Sequence, residues 1–308
     1  MADYIRFDIG QGIRAASGCW YRNVQVLGTG GSAVTLLVIC TEGANKGVTF
    51  ALKVFRRLSK PERRERFLRE VQFLQQCSHP AVMRVFDSGV YGLGPVATRQ
   101  EFPFVVAEYL PTTLFDVIRA GQAPVVEKVS HSCQLLSALQ YLAGLSPAVV
   151  HRDIKPRNIF VKGHSCVLGD FGLMKLLDAV PDDDKEVFKE SIEVGMPFYY
   201  RTPDLVAYAK DDVPLTPKSD VFQLGLVLTE MFTGWNPARK ADDLLSPVEL
   251  DPVGNIPGGL GASIATLLRR MLDFNPASRP TAAELLDPWE SVFGNAVARA
   301  QDLEGRVF

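Results

Sequence analysis

The chain has 308 residues, 47% of them apolar and 22% charged, which is enough to bury a sizeable core and excludes a wholly disordered chain. Its 33 basic and 35 acidic residues leave a net charge of −2, no electrostatic footprint for nucleic acid. The longest apolar runs, such as Ala33–Cys40, fall far short of the ~20 residues that span a bilayer, and Asp3, Arg6 and Asp8 stand where a signal peptide needs an apolar stretch.

At ~150 residues per domain, the length fits one two-lobed enzyme or two small domains. Residues 1–19 are mixed, contain glycine and show no clear period, so they read as an N-terminal extension. From Trp20 to about Leu110 the pattern is mainly strand with one helix. Residues 24–27, 34–40 and 48–55 read as three strands broken at glycines. A helix is predicted over 61–76: Ser59 and Glu62 have capping-box spacing, Pro61 sits in the first turn, and Phe67, Val71 and Leu74 recur at helical spacing. Residues 104–109 form another predicted strand. Beyond Pro111 the character changes to long helical patterns over 127–142, 221–232, 262–272 and 281–292. A β-rich first third joined to a helical remainder predicts an α+β architecture with two unequal lobes.

Cys19, Cys40, Cys77, Cys133 and Cys166 are odd in number, widely spaced and without a C-x-x-C pair. That pattern suits a reducing compartment rather than a disulfide framework. His79, His131, His151 and His164 show no zinc-binding spacing. A soluble cytoplasmic protein with neither a nucleic-acid nor a membrane partner is expected.

Between the first two predicted strands lies Leu27-Gly28-Thr29-Gly30-Gly31-Ser32-Ala33. Such a loop between strand and helix would suit a dinucleotide. Between two strands it suits a flap over a nucleotide's phosphates, because missing Cβ atoms let backbone N–H groups approach. By itself it reads equally as an ordinary hairpin turn.

The strongest signal is His151-Arg152-Asp153-Ile154-Lys155-Pro156-Arg157-Asn158, followed twelve residues after the asparagine by Asp170-Phe171-Gly172. Transferring a phosphoryl group requires charge neutralisation and in-line positioning more than covalent help. Asp170 and Asn158 offer the oxygen ligands that Mg²⁺ takes, leaving other positions to phosphates and water. In these residues the chain resembles the eukaryotic-like protein kinase family, Ser/Thr branch, and the resemblance covers about residues 20–290 in the family's motif order. It implies a bilobal kinase-like fold: a small β-rich N-lobe (about 20–110) with one key helix and a larger helical C-lobe (about 111–290), then a tail over 291–308.

The resemblance also implies roles. Asp153 would accept or orient the substrate hydroxyl, and Lys155 would stabilise charge near the γ-phosphate. Phe50-Ala51-Leu52-Lys53 matches the family's A-x-K strand, which makes Lys53 the contact to the α- and β-phosphates and Glu70 its partner on the helix. Leu27, Gly28, Thr29, Gly30 and Gly31 would lie over the phosphates. Thr35 takes the position of a valine that covers the adenine, and Ala33 that of the third loop glycine. Ala107 falls at the gatekeeper position, the backbone of Glu108 and Leu110 would bond the adenine, and Ala51 and Phe160 would sandwich it. The cofactors implied are ATP and Mg²⁺, or Mn²⁺ in its place, and the partner is a protein substrate.

Farther on, Gly195 to Asp204 matches the segment that closes the activation loop, with Met196 where a threonine is usual. Asp204 replaces the usual glutamate and is expected to pair with Arg279; the shorter acid still permits a bidentate contact, although the backbone must move closer. Asp220 matches the aspartate that braces the catalytic loop, although a helix cap near Ser219 is equally compatible. Acids crowd residues 178–193 with a single hydroxyl, Ser191, while Arg56, Arg57, Lys60, Arg63, Arg64, Arg66 and Arg69 make the predicted helix region basic. These runs are either solvated faces or a loop drawn toward Arg152 and the helix. The function implied is a Ser/Thr protein kinase. Two alternatives stand beside it: a pseudokinase scaffold that binds nucleotide without efficient transfer, and a small-molecule kinase. Lys53, Glu70, Asp153, Asn158 and Asp170 are all present, against the first. The Lys-Pro pair, D-F-G and Thr202-Pro203-Asp204 favour a protein substrate over the second.

Overall fold

A period of two in burial runs through residues 33–40 and 49–55, and it organises the first part of the molecule. The computed structural model describes residues 5–30, 33–56, 61–177, 198–211 and 213–304. Within them the chain forms β1 (Gly12–Arg14), β2 (Trp20–Thr29), β3 (Ala33–Cys40), β4 (Thr49–Phe55), α1 (Pro61–Gln76), β5 (Val85–Leu93) and β6 (Gln100–Glu108). All six strands join one antiparallel sheet in the order β1-β2-β3-β4-β6-β5. Side chains alternate across a strand, so Val34, Leu36 and Val38 of β3 and Phe50, Leu52 and Val54 of β4 are buried on one face. On the other face, Val105 and Phe55 pack against Phe67 and Val71 of α1. The buried residues of α1 (Arg63, Phe67, Glu70, Val71 and Leu74) recur every three or four positions and form one stripe.

Residues 5–19, part of the stretch that showed no period, are not a loose appendage. Ile5, Phe7, Ile13 and Ala15 belong to the core of this sheet, and Gly12, Ile13 and Arg14 pair with Arg22, Tyr21 and Trp20. The segment was illegible because β1 is three residues long, too short for a period to register. β6 begins at Gln100 rather than 104, and β5, partly exposed and carrying Gly89 and Gly92, escaped the strand pattern. Ser59, the predicted cap, lies outside the described residues.

The chain divides into two compact units, Met1–Ser78 with Met83–Leu110 and His79–Val82 with Pro111–Phe308. The second contains β7 (Thr112–Thr113), α2 (Leu114–Ala120), α3 (Val125–Ala143), β8 (Val149–Val150), β9 (Ile159–Lys162), β10 (Ser165–Leu168), β11 (Lys175–Leu176), α4 (Pro203–Asp211), α5 (Lys218–Thr233), α6 (Gly261–Met271) and α7 (Ala282–Glu304). Helix α5 is buried almost all round, as a helix at the centre of a core must be. Helix α7 continues past the predicted end at 292 to Glu304, with Pro288 inside it. The β-rich first unit and helical second unit make the fold α+β, as expected. Among the described residues no helix is long and apolar enough to cross a membrane.

Candidate active site

In the first unit, strand register gathers several of the residues singled out by sequence. Gly28 lies opposite Thr35, Thr35 opposite Lys53, and Lys53 opposite Val105. In the next row Leu37 faces Ala51, and Ala51 faces Ala107. Odd positions of β3 and β4 share one side of the pleat, so Thr35, Ala51, Lys53 and Ala107 lie on one sheet face. A lysine here needs a counter-charge, and α1 supplies it: Lys53 Nζ lies 2.9 Å from Oε1 and 3.3 Å from Oε2 of Glu70. Glu70 is nearly fully buried.

Leu27, Gly28 and Thr29 end β2, and Gly30 donates its N–H to Ala33 O at 2.9 Å. A Cβ on Gly28 would meet nothing within 4 Å among the described residues, so their packing does not require glycine there. Arg56 Nη2 donates to Gly30 O at 2.5 Å. At the end of β6 the Glu108 N–H donates to Arg84 O at 3.1 Å, and Leu110 is buried. Gly31 lies outside the described residues.

In the second unit the 151–158 loop runs between β8 and β9 and folds around Asp153. Asp153 Oδ2 accepts from Lys155 Nζ at 2.9 Å and from Asn158 Nδ2 at 2.8 Å, while Asn158 Nδ2 also reaches Asp153 O at 2.9 Å. Oδ1 is buried and has no hydrogen-bond partner among the described residues. Burial pushes the Asp153 carboxyl up to about 6, with Lys155 opposing and Asp170 adding to the rise. His151 is held neutral: burial drives it down to about 4, its Nε2 bonds Gly169 O at 3.1 Å, and its Nδ1 accepts from the Asp153 N–H at 3.2 Å.

Two non-glycine residues of this region occupy the left-handed region, Arg152 at φ +67° and Asp170 at φ +56°. Such conformations cost energy and persist where the surroundings hold them. Arg152 is held by its guanidinium, which donates to Leu173 O and, at 3.1 Å, to Met174 O. Phe171, fully buried, packs edge-on against the His151 ring at 4.5 Å. Phe160 lies on β9 opposite Thr113 and Val167.

Asp220 is the brace. Its Oδ2 accepts from the His151 N–H at 2.7 Å and its Oδ1 from the Arg152 N–H at 3.0 Å. The capping alternative fails, because the helix cap is Pro217 and no side chain bonds there. The Arg279–Asp204 pair forms, but through one contact, Nη1 to Oδ2 at 2.6 Å, not two. Nε donates to Asp273 O at 2.9 Å and Nη1 also to Lys218 O at 2.7 Å, while Nη2 is buried without a partner among the described residues. Sequence reasoning missed Gln223, which bonds both flanks of Asp153. Its i+3 spacing from Asp220 puts it on the same face of the helix, but nothing local names the backbone groups it bonds. Arg57, Lys60, Met196 and residues 178–193, including Ser191, lie outside the described residues.

A family profile described as Protein kinase domain matches residues 21–289. The chain is 28% identical over 274 residues to the carbon catabolite-derepressing protein kinase of Candida albicans, covering 86% of this chain and 40% of that protein. Against the carbon catabolite-derepressing protein kinase of Saccharomyces cerevisiae it is 28% identical over 281 residues, 88% of this chain and 40% of that one. The similarity to the serine/threonine-protein kinase Nek3 of Oryza sativa subsp. japonica is 40% over 157 residues, half of this chain and 24% of the relative. The chain thus spans well under half the length of these relatives.

Proposed function

The chain belongs to the protein kinase domain family, and from that membership we propose that it is an ATP-dependent serine/threonine protein kinase acting on a protein hydroxyl. The observation that carries this reading is the buried Asp153 carboxylate. One of its oxygens is held by Lys155 and Asn158, and the other is left without a partner among the described residues. A hydroxyl donor would satisfy that oxygen, and Asp153 would orient it or take its proton. Lys155, a fixed cation beside Asp153, would stabilise charge on the transferred group.

The residues fit a metal-nucleotide. Among the described residues no three histidine, cysteine or carboxylate side chains cluster around a point. An ion here would take few protein oxygens, the Asp170 carboxylate and the carbonyl oxygen of Asn158, with phosphates and water completing its shell. Bound ATP supplies the phosphoryl group, and Mg²⁺ or Mn²⁺ neutralises its charge. Lys53, oriented by Glu70, would hold the α- and β-phosphates, and Leu27, Gly28, Thr29, Gly30 and Gly31 would cover them. Thr35, Ala51, Ala107, Leu110 and Phe160 would bound the base. With its N–H donating to Arg84 O, Glu108 would meet the base through its carbonyl.

We assign residues 20–290 as the catalytic domain, divided near residue 110, with 1–19 and 291–308 as flanking extensions. A cytoplasmic location, without nucleic-acid or membrane partners, belongs to the same reading and rests on the cysteine spacing and charge balance. The test is incubation with labelled ATP, Mg²⁺ and an acceptor protein, followed by mapping of the modified residues. Serine or threonine should carry the label, and Asp153→Ala should lower transfer by at least ~10²-fold. Equal transfer by Asp153→Ala and wild type would refute the reading.

A further inference from the structure

We propose that Gln223 is a positioning residue for Asp153, a single carboxamide that fixes the backbone on both sides of this carboxylate and ties it to the segment entering α4. The inference rests on the reading of Asp153 as the carboxylate that meets the acceptor hydroxyl. Asp220 and Gln223 stand three residues apart on α5 and therefore share a face. Together they take up the 151–154 backbone almost group by group. Asp220 binds the N–H groups of His151 and Arg152. Gln223 Oε1 then accepts from the Ile154 N–H at 2.9 Å, and Nε2 donates to Arg152 O at 3.1 Å. Asp153 sits between these two gripped groups.

The third bond gives the residue its reach. Nε2 also donates to Tyr200 O at 2.8 Å, in the short helical turn Phe198–Tyr200 just ahead of α4. The orientation of the amide is unambiguous, because the Ile154 N–H can only donate and the two carbonyls can only accept. Gln223 is fully buried, so water cannot replace it at Arg152 O or the Ile154 N–H. Arg152, one of the two left-handed non-glycine residues among those described, is the kind of position that must be held from outside. The glutamine makes a join between the two segments through their backbones.

Two variants separate positioning from mere packing. Gln223→Met keeps the volume and loses all three bonds. Gln223→Glu keeps the acceptor for Ile154 and turns a carboxylate on two carbonyls. Each is compared with wild type in transfer from labelled ATP to myelin basic protein or casein, in nucleotide affinity, in thermal midpoint, and in backbone hydrogen exchange over 152–154 and 199–202. For both variants kcat should fall about 10-fold or more while nucleotide affinity stays within about 2-fold. Exchange should rise in both segments for Gln223→Met and mainly at 199–202 for Gln223→Glu. Wild-type kcat with faster exchange overturns the inference, and so does a parallel loss of kcat, nucleotide affinity and thermal midpoint. Should Gln223→Met fail to fold, Gln223→Glu decides by the same criteria. A wild type that transfers nothing would remove the kinase reading. The exchange arm would then still decide the clamp, and unchanged protection of 152–154 in both variants would overturn it.

Discussion

Arg279 Nη1 lies 2.6 Å from Asp204 Oδ2 in a buried ion pair that joins residues 75 positions apart. Taking two charges out of water is costly, and Nε and Nη1 offset part of it by also reaching Asp273 O and Lys218 O, while Nη2 is buried with no partner among the described residues. Removing one partner strands the other. Asp204→Ala should therefore lower unfolding stability by ~3–5 kcal/mol. Adding Arg279→Met should cost less than the sum of the two single changes, since the orphaned charge goes with it. Denaturant titration of the four proteins checks this, and strict additivity would deny the coupling.

Asp220 provides a pH signature. Burial pushes its carboxyl up to about 7, against the opposing pull of the His151 and Arg152 N–H groups and the Arg152 charge. The unfolded chain ionises this group near pH ~4. Between those values the folded state binds more protons than the unfolded one, so this group's contribution to stability falls as pH rises from about 4 to about 7 and is level above. Asp220→Asn removes that slope. It also turns an NH₂ toward one of two N–H donors, at a cost of ~1–3 kcal/mol. Unfolding midpoints at pH 5 and pH 8 should differ less in the variant than in wild type, relative to the same buffers.

Phe7 is buried to 8% exposure in the core of the first unit, with its ring 5.1 Å from Tyr91. Phe7→Ala should destabilise by ~3–5 kcal/mol through lost burial and the cavity it leaves. Ile9, two residues away and 82% exposed, should tolerate alanine within ~0.5 kcal/mol. Similar midpoints for the two variants in thermal unfolding would contradict the integration of this segment into the sheet.

Ala51 and Ala107 are cross-strand partners, so a methyl faces a methyl on the sheet face that carries Lys53. With so little side chain at 107, an ATP-competitive compound bearing an extra aromatic group should gain about 25 cal/mol per Å² of apolar area buried there. Ala107→Met should abolish that gain and leave ATP affinity unchanged. Competition binding with ATP and a bulky adenine analogue measures both, and equal analogue affinity for the two proteins would mean that the space is already filled.

Several local signals were legible in the sequence. The helix Pro61–Gln76 matches its predicted bounds and apolar spacing end for end. The strands Ala33–Cys40 and Thr49–Phe55 lie within a residue of where the runs broken at glycines place them. Asp153, Lys155 and Asn158 meet because they stand within six consecutive residues of one loop, so their spacing alone brings them together. Residues 5–15 and Gln223 gave no such sign. The first bury their side chains against strands that begin only at Trp20, and Gln223 meets backbone groups 69 and 71 positions earlier. A backbone N–H or C=O is the same chemical group at every residue, so no local pattern can say which one a distant glutamine will bond. The path of α5 through the core of the second unit decides it, and that path is set by the apolar packing all round the helix.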